Sequence, residues 1–240
     1  MTPEGEPAPA GIKVAGEGVS YLGESNSWTD ADGRFSVRVM ASTDARKATA
    51  RLYAEGTGRY AELPAASTPT QLASTGKCVD VGNIELAFPL ASMVLTWGKQ
   101  PSDLDSHFTG PIAVDGTKRF HVSFSDRNVG NAFLDTDDTS AFGPEVTSLL
   151  KAVPGTYLYS VHNFSGEVSG KIAESAAKVI AIFPAEELSL DVGDAVVPED
   201  FEARRSVWRV FKFDISEDGV ISAIEPINEI VPESEDAFEP

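Results

Sequence analysis

GTYLYSVHNF (155–164) is the stretch whose reading decides the fold. Tyr157 and Tyr159 alternate with Leu158, Ser160 and His162, a period of two. In an extended chain that period sends the two sets to opposite faces, whereas a helix needs apolar residues three and four apart. The same alternation recurs on both sides. RFSVRVMAS (34–42) sets Phe35, Val37 and Val39 against Arg34, Ser36 and Arg38. Further extended segments read MVLTWG (93–98), DLDSHF (103–108), RFHVSFS (119–125), KVIAIF (178–183), VWRVFKFDI (207–215) and GVISAIEPINEI (219–230), with TARLYAEG (49–56) and NIELAF (83–88) nearer the start.

Clusters of Gly, Pro, Asn and Asp separate these segments, as in an all-β sandwich. DADG (30–33) has hairpin-turn chemistry: the aspartate caps the turn and Gly33 takes the positive φ. The one helical candidate is AEELSL (185–190). The expected organisation is therefore all-β, two consecutive β-sandwich domains of transthyretin-like or immunoglobulin-like kind. Residues 1–10 read as a flexible linker, 11–88 as the first sandwich, 89–231 as the second and 232–240 as a disordered acidic tail.

Composition narrows the function classes. The 240 residues include 37 acidic and 19 basic side chains, a formal charge of -18. Such a surface repels nucleic acid and anionic lipid. It suits a secreted, periplasmic or surface-attached protein, a salt-adapted one, or one that meets divalent cations. Cys78 is the sole cysteine, so no disulfide forms within the chain, and a lone thiol in such surroundings reads as a small buried apolar residue. No apolar run is long enough for a membrane-spanning helix. TPEGEPAPAG after Met1 is no signal peptide, since it lacks both a basic and an apolar region. It reads as a flexible linker, which suggests either a preceding export or anchoring segment or, equally, a cytosolic protein.

Two resemblances attach to particular motifs. WTDADGRFSV (28–37) and CVDVGNIEL (78–86) make residues 11–86 similar to a carboxypeptidase regulatory-like domain, a small transthyretin-like sandwich. LTWGKQPSDLDSHFTGP (95–111), FHVSF (120–124), LDTDDTSAFGPE (134–145), YLYSVHNFSG (157–166) and WRVFKFD (208–214) resemble, in the same order, the YfaP-like family of unknown function. That second resemblance implies secreted, periplasmic or surface proteins built from β-sandwich modules, with no established catalytic activity.

The chemical candidates lie in the second part. In DLDSH, Asp103, Asp105 and His107 share one face of a strand, with same-face neighbours roughly 6.6 Å apart. Two carboxylates so placed repel unless a cation or a basic side chain sits near. LDTDDT adds Asp135, Asp137 and Asp138. An EF-hand is excluded, because Ser140 stands where glycine is required and Val146 where glutamate is. Calcium sites on sandwich loops are less regular, and these carboxylates with His107 are the candidate metal ligands. The alternative is a polar turn whose aspartates accept backbone N–H groups.

The chain's three histidines, His107, His121 and His162, all fall in the second part's strands. If they meet, they form a zinc or copper ligand set; otherwise each is a strand histidine bonded to a carboxylate or carbonyl. Trp97 and Trp208, if exposed, suit stacking on sugar rings. The sequence contains no Gly-x-Ser-x-Gly elbow, HExxH, P-loop or dinucleotide glycine fingerprint. The expectation is a non-enzymatic module that binds a protein or a glycan at a cell surface, with calcium as the cation. A carbohydrate-binding domain and a histidine-dependent metallohydrolase are the alternatives.

Overall fold

Alternating apolar residues need a partner layer, and the computed structural model of the chain shows how they find one. It describes residues 13–17, 27–34, 51–54, 59–62, 88–113, 118–166, 171–199, 201 and 205–240. The chain divides into two units, Met1–Pro89 and Leu90–Pro240.

In the first unit, β1 (Lys13–Glu17), β2 (Ser27–Trp28), β3 (Arg51–Ala54) and β4 (Arg59–Glu62) form one antiparallel sheet in the order β2-β1-β3-β4. The DADG turn is built as its residues require. Asp30 Oδ1 accepts from the amides of Asp32 and Arg34, both at 2.9 Å, and Gly33 has φ +71°. The linker, Cys78, the strand beginning at Phe35 and most of NIELAF lie outside the described residues.

The second unit carries two antiparallel sheets. The six-stranded sheet runs β13-β12-β5-β10-β9-β8 and is made of β5 (Ala91–Thr96), β8 (Asn128–Val129), β9 (Ala132–Leu134), β10 (Glu145–Leu149), β12 (Lys178–Ile182) and β13 (Glu187–Asp191). The five-stranded sheet runs β15-β14-β11-β6-β7. It is made of β6 (Leu104–Pro111), β7 (Arg119–Val122), β11 (Gly155–Asn163), β14 (Ser206–Ile215) and β15 (Ile221–Pro232).

One core joins the inner faces of both sheets, with Met93, Leu95, Val179 and Ala181 from the first and Phe108, Tyr157, Trp208 and Phe213 from the second. Phe183 packs edge-on against Phe211 and Phe213, with centroids 6.1 and 5.3 Å away. Tyr157 stacks on Phe213 at 4.9 Å, and its hydroxyl donates to the Val153 carbonyl at 2.7 Å, so the buried phenol keeps a partner. Gly110 is required where it stands, because a Cβ there would lie 2.3 Å from the Tyr157 ring.

Two expectations are corrected. The candidate helix at 185–190 is a strand, β13 (Glu187–Asp191), paired with β12. Leu188 and Leu190 alternate and pack against the core, a period-two pattern that outweighs the helix-forming glutamates. The last residues are ordered: after β15 the chain makes a 3-10 turn, Glu235–Phe238, with Ala237 buried. Charge density suggested a solvated tail, but Ala237 and Phe238 supply an apolar anchor. Arg119 and Arg209 meet the Glu239 carboxylate and carbonyl at 3.3 and 2.7 Å. No helix among the described residues is long and apolar enough to cross a membrane.

Candidate metal centre

The site begins with β6, whose eight residues are all buried. Leu104 and Phe108 enter the core, while Asp105, His107 and Thr109 take the opposite face. Antiparallel pairing then fixes their neighbours. His162 of β11 stands opposite Asp105, Ser160 opposite His107, and His121 of β7 opposite Thr109. The three histidines thus form a diagonal across three strands, the spacing at which rings on neighbouring strands touch. His107 Nδ1 lies 2.7 Å from His121 Nε2, and the His107 and His162 rings meet edge-on at 5.6 Å.

Phe238 from the C-terminal turn covers this diagonal. Its ring stacks on His107 at 4.3 Å and reaches His121 and His162 at 5.3 and 6.2 Å. Thr109 Oγ1 donates to the Phe238 carbonyl at 3.0 Å. This cover is why a polar face of the sheet is buried. His107 is held neutral, its pKa well below the usual imidazole value, first by burial and then by its two histidine neighbours.

A carboxylate cluster adjoins the histidines at the start of β6. Asp105 Oδ2 lies 3.8 Å from His162 Nδ1. Glu145, the first residue of β10, is fully buried; its Oε2 accepts from the Ser106 amide at 2.8 Å and its Oε1 from the Asp138 amide at 3.2 Å. Burial, with the Asp105 charge adding to it, pushes Glu145 up to about 8 against the pull of the Ser106 hydrogen bonds. Asp103 is pushed up to about 6 by burial first and then by Asp105, Asp137 and Asp138. Asp137 is raised by burial and by Asp105, with Arg127 opposing.

Among the described residues, two sets of side chains offer ligand atoms within 4.8 Å of one another: Asp105, His107 and His162, and Asp105, Asp137 and Glu145. Asp105 belongs to both. Buried atoms with no hydrogen-bond partner concentrate here, namely Asp103 Oδ1, Asp105 Oδ2, Asp137 Oδ1, His107 Nε2 and His162 Nε2. Buried polar atoms are rarely left without a partner, so these five mark an electrostatic demand along the two adjoining groups.

Of the residues singled out from sequence, the structure brings Asp105, His107 and Asp137 into these sets, with Asp103 coupled to them through charge. Asp135 and Asp138 serve the backbone. Asp135 Oδ1 accepts from the Val146 amide at 3.2 Å, and its carbonyl accepts from Arg127. Asp138 Oδ1 accepts from both the amide and the hydroxyl of Ser140, each at 2.8 Å, as an Asx turn does.

Glu145 was not among those residues, and His162 stood apart from the carboxylates. The alternation of β11 shows which face His162 takes, but only the β11–β6 register places it opposite Asp105. Nothing local marks Glu145, which becomes central because Ser106 of the other sheet meets it.

The aromatic platform is absent where it was looked for. Trp97 and Trp208 are buried, and Trp208 Nε1 donates to Asn228 Oδ1 at 2.8 Å. Comparison of the chain with protein-family models, curated proteins and solved structures finds no match in any of the three.

Proposed function

We propose that the chain is a non-catalytic binding or structural module of a secreted, periplasmic or surface-attached protein, and that a hard divalent cation stabilises its second unit. Calcium is the ion in the first instance, and Asp105, Asp137 and Glu145 hold it. One observation carries the cation: these three carboxylates converge within 4.8 Å, and Asp105 Oδ2 and Asp137 Oδ1 are buried with no hydrogen-bond partner. Oxygens ~2.3–2.6 Å from one calcium stand at most about 5 Å apart, so the spacing fits. Without an ion, the cluster is neutral only if protons stay on it, which is the meaning of the raised Glu145.

The acid excess, -18 over the chain, supports a partner that is a protein or a neutral glycan rather than nucleic acid or an anionic membrane. The resemblance of 95–214 to YfaP-like segments supports the compartment.

The test is thermal denaturation of chelator-treated protein with increasing calcium. At ~100 times the Kd, the ion adds about 2.7 kcal/mol, a rise of roughly 5–10 °C in Tm for a unit of this size. Asp137→Asn and Glu145→Gln should each abolish the rise. An unmoved midpoint at millimolar calcium removes the cation from the reading.

A further inference from the structure

The carboxylate cluster leaves His107, His121 and His162 unused. Their arrangement differs from that of histidines placed for packing. One ligand atom each from Asp105, His107 and His162 lies within 4.8 Å of the other two, and all three residues are buried. Two nitrogens on one tetrahedral zinc, each at ~2.0–2.1 Å, stand about 3.3 Å apart. The 3.8 Å between Asp105 Oδ2 and His162 Nδ1 is within about half an ångström of that spacing. The 2.7 Å between His107 Nδ1 and His121 Nε2 is shorter than that spacing, so those two atoms share a proton and not an ion.

The outward nitrogens carry the second part of the argument. Metal-bound imidazoles anchor the non-ligating nitrogen on a neighbouring acceptor or carboxylate, which sets the tautomer and aims the other nitrogen. His107 has that form, and His162 approaches it, with a carboxylate near its Nε2 but no hydrogen bond between them. His107 is anchored through Nδ1 on His121, which leaves Nε2 buried and unpaired. His162 has Glu233 Oε1 at 3.4 Å from Nε2, while Nδ1 faces Asp105. Asp105 Oδ2 is itself buried with no hydrogen-bond partner. Phe238, stacked on His107, shields the group.

We propose that Asp105, His107 and His162 form a second cation site, for a borderline divalent transition metal, zinc in the first instance, with His121 and Glu233 as positioning residues. Two imidazoles and one carboxylate select such a metal over calcium or magnesium, which take oxygen. The site does not depend on the calcium reading: the two share Asp105 alone.

The experiment uses the full chain without an affinity tag, stripped by chelator and titrated with Zn2+ against a chromophoric zinc chelator. One equivalent binds at micromolar Kd or tighter. His107→Gln and His162→Gln each weaken binding by at least ~10-fold, and His121→Gln weakens it by a similar or smaller factor. Asp137→Asn leaves zinc binding unchanged and abolishes the calcium response, whereas His162→Gln does the reverse, so either site can fail alone.

A wild-type readout covers the case in which a variant does not fold. Stoichiometric Co2+ should displace the imidazole proton resonances of His107 and His162, in a chain with only three histidines to assign. Zinc binding below a fifth of an equivalent (about 0.2), or Co2+ that leaves those resonances in place, overturns the proposal.

Discussion

The two faces of β6 are equally buried and chemically opposite. Inward, Phe108 packs against Phe120 at 5.3 Å and Tyr157 at 5.8 Å, and Gly110 makes room for the Tyr157 ring. Outward, Asp105, His107 and Thr109 lie under the C-terminal turn, with His107 against Phe238. The inner face is closed by a second sheet, so apolar area supplies most of its stability, and its one polar side chain, Ser106, is paired with Tyr159. The outer face is closed by a four-residue turn, and its polar atoms are only partly paired. Burial of the first kind stabilises; burial of the second kind creates a demand for protons or cations. The contrast shows that alternation tells which residues share a face, and not whether that face meets water.

The comparison breaks most easily on the inner side. Phe108→Ala should cost about 3–5 kcal/mol in urea unfolding, as for a ring removed from a close-packed core. A loss under about 1 kcal/mol would mean that the aromatic layer does not hold the sheets together.

Phe238→Ala probes the outer cover. The lost stacking is worth about 0.5–1.5 kcal/mol, and the imidazole resonances of His107 and His121 should move with it. Unchanged resonances would show that the turn does not rest on the histidines.

The last probe is the pH dependence of the chelator-treated chain, in which contributions of opposite sign meet. Glu145, raised from 4.5 to about 8, stabilises fully below its unfolded value, and that contribution is lost as pH rises through about 8. Asp103, raised from 3.8 to about 6, acts in the same sense over a lower window. His107, lowered from 6.5, contributes above that value and loses the contribution as pH falls below it. Below pH 6.5 the raised carboxyls and the lowered histidines oppose each other, whereas between 6.5 and about 8 Glu145 leads and stability should fall. Thermal midpoints across that window should show the fall in the natural chain and not in Glu145→Gln. Its persistence in the variant would assign it to another group.

Much of the fold was legible. The strand at 155–164, the strand through DLDSH and the faces of both follow from alternation, and the DADG turn is built as its residues dictate. What escaped was decided by contacts distant in the chain. AEELSL looked helical by composition, yet lies beside β12. The acidic end looked solvated, yet Phe238 reaches His107, more than a hundred residues earlier. The candidate site was half visible for the same reason. Asp105 and His107 share a strand, so their company is local. His162 and Glu145 join them through the pairing of β11 with β6 and the approach of Glu145 to Ser106.

The sequence by itself determined the extended conformation, the faces of each strand and the surplus of negative charge, because these depend on neighbours one or two residues apart. Only the tertiary structure decided which acids lose water, which histidines touch and what covers them. Desolvation and ligand geometry depend on the register between strands and on the layer above, and no single segment encodes either.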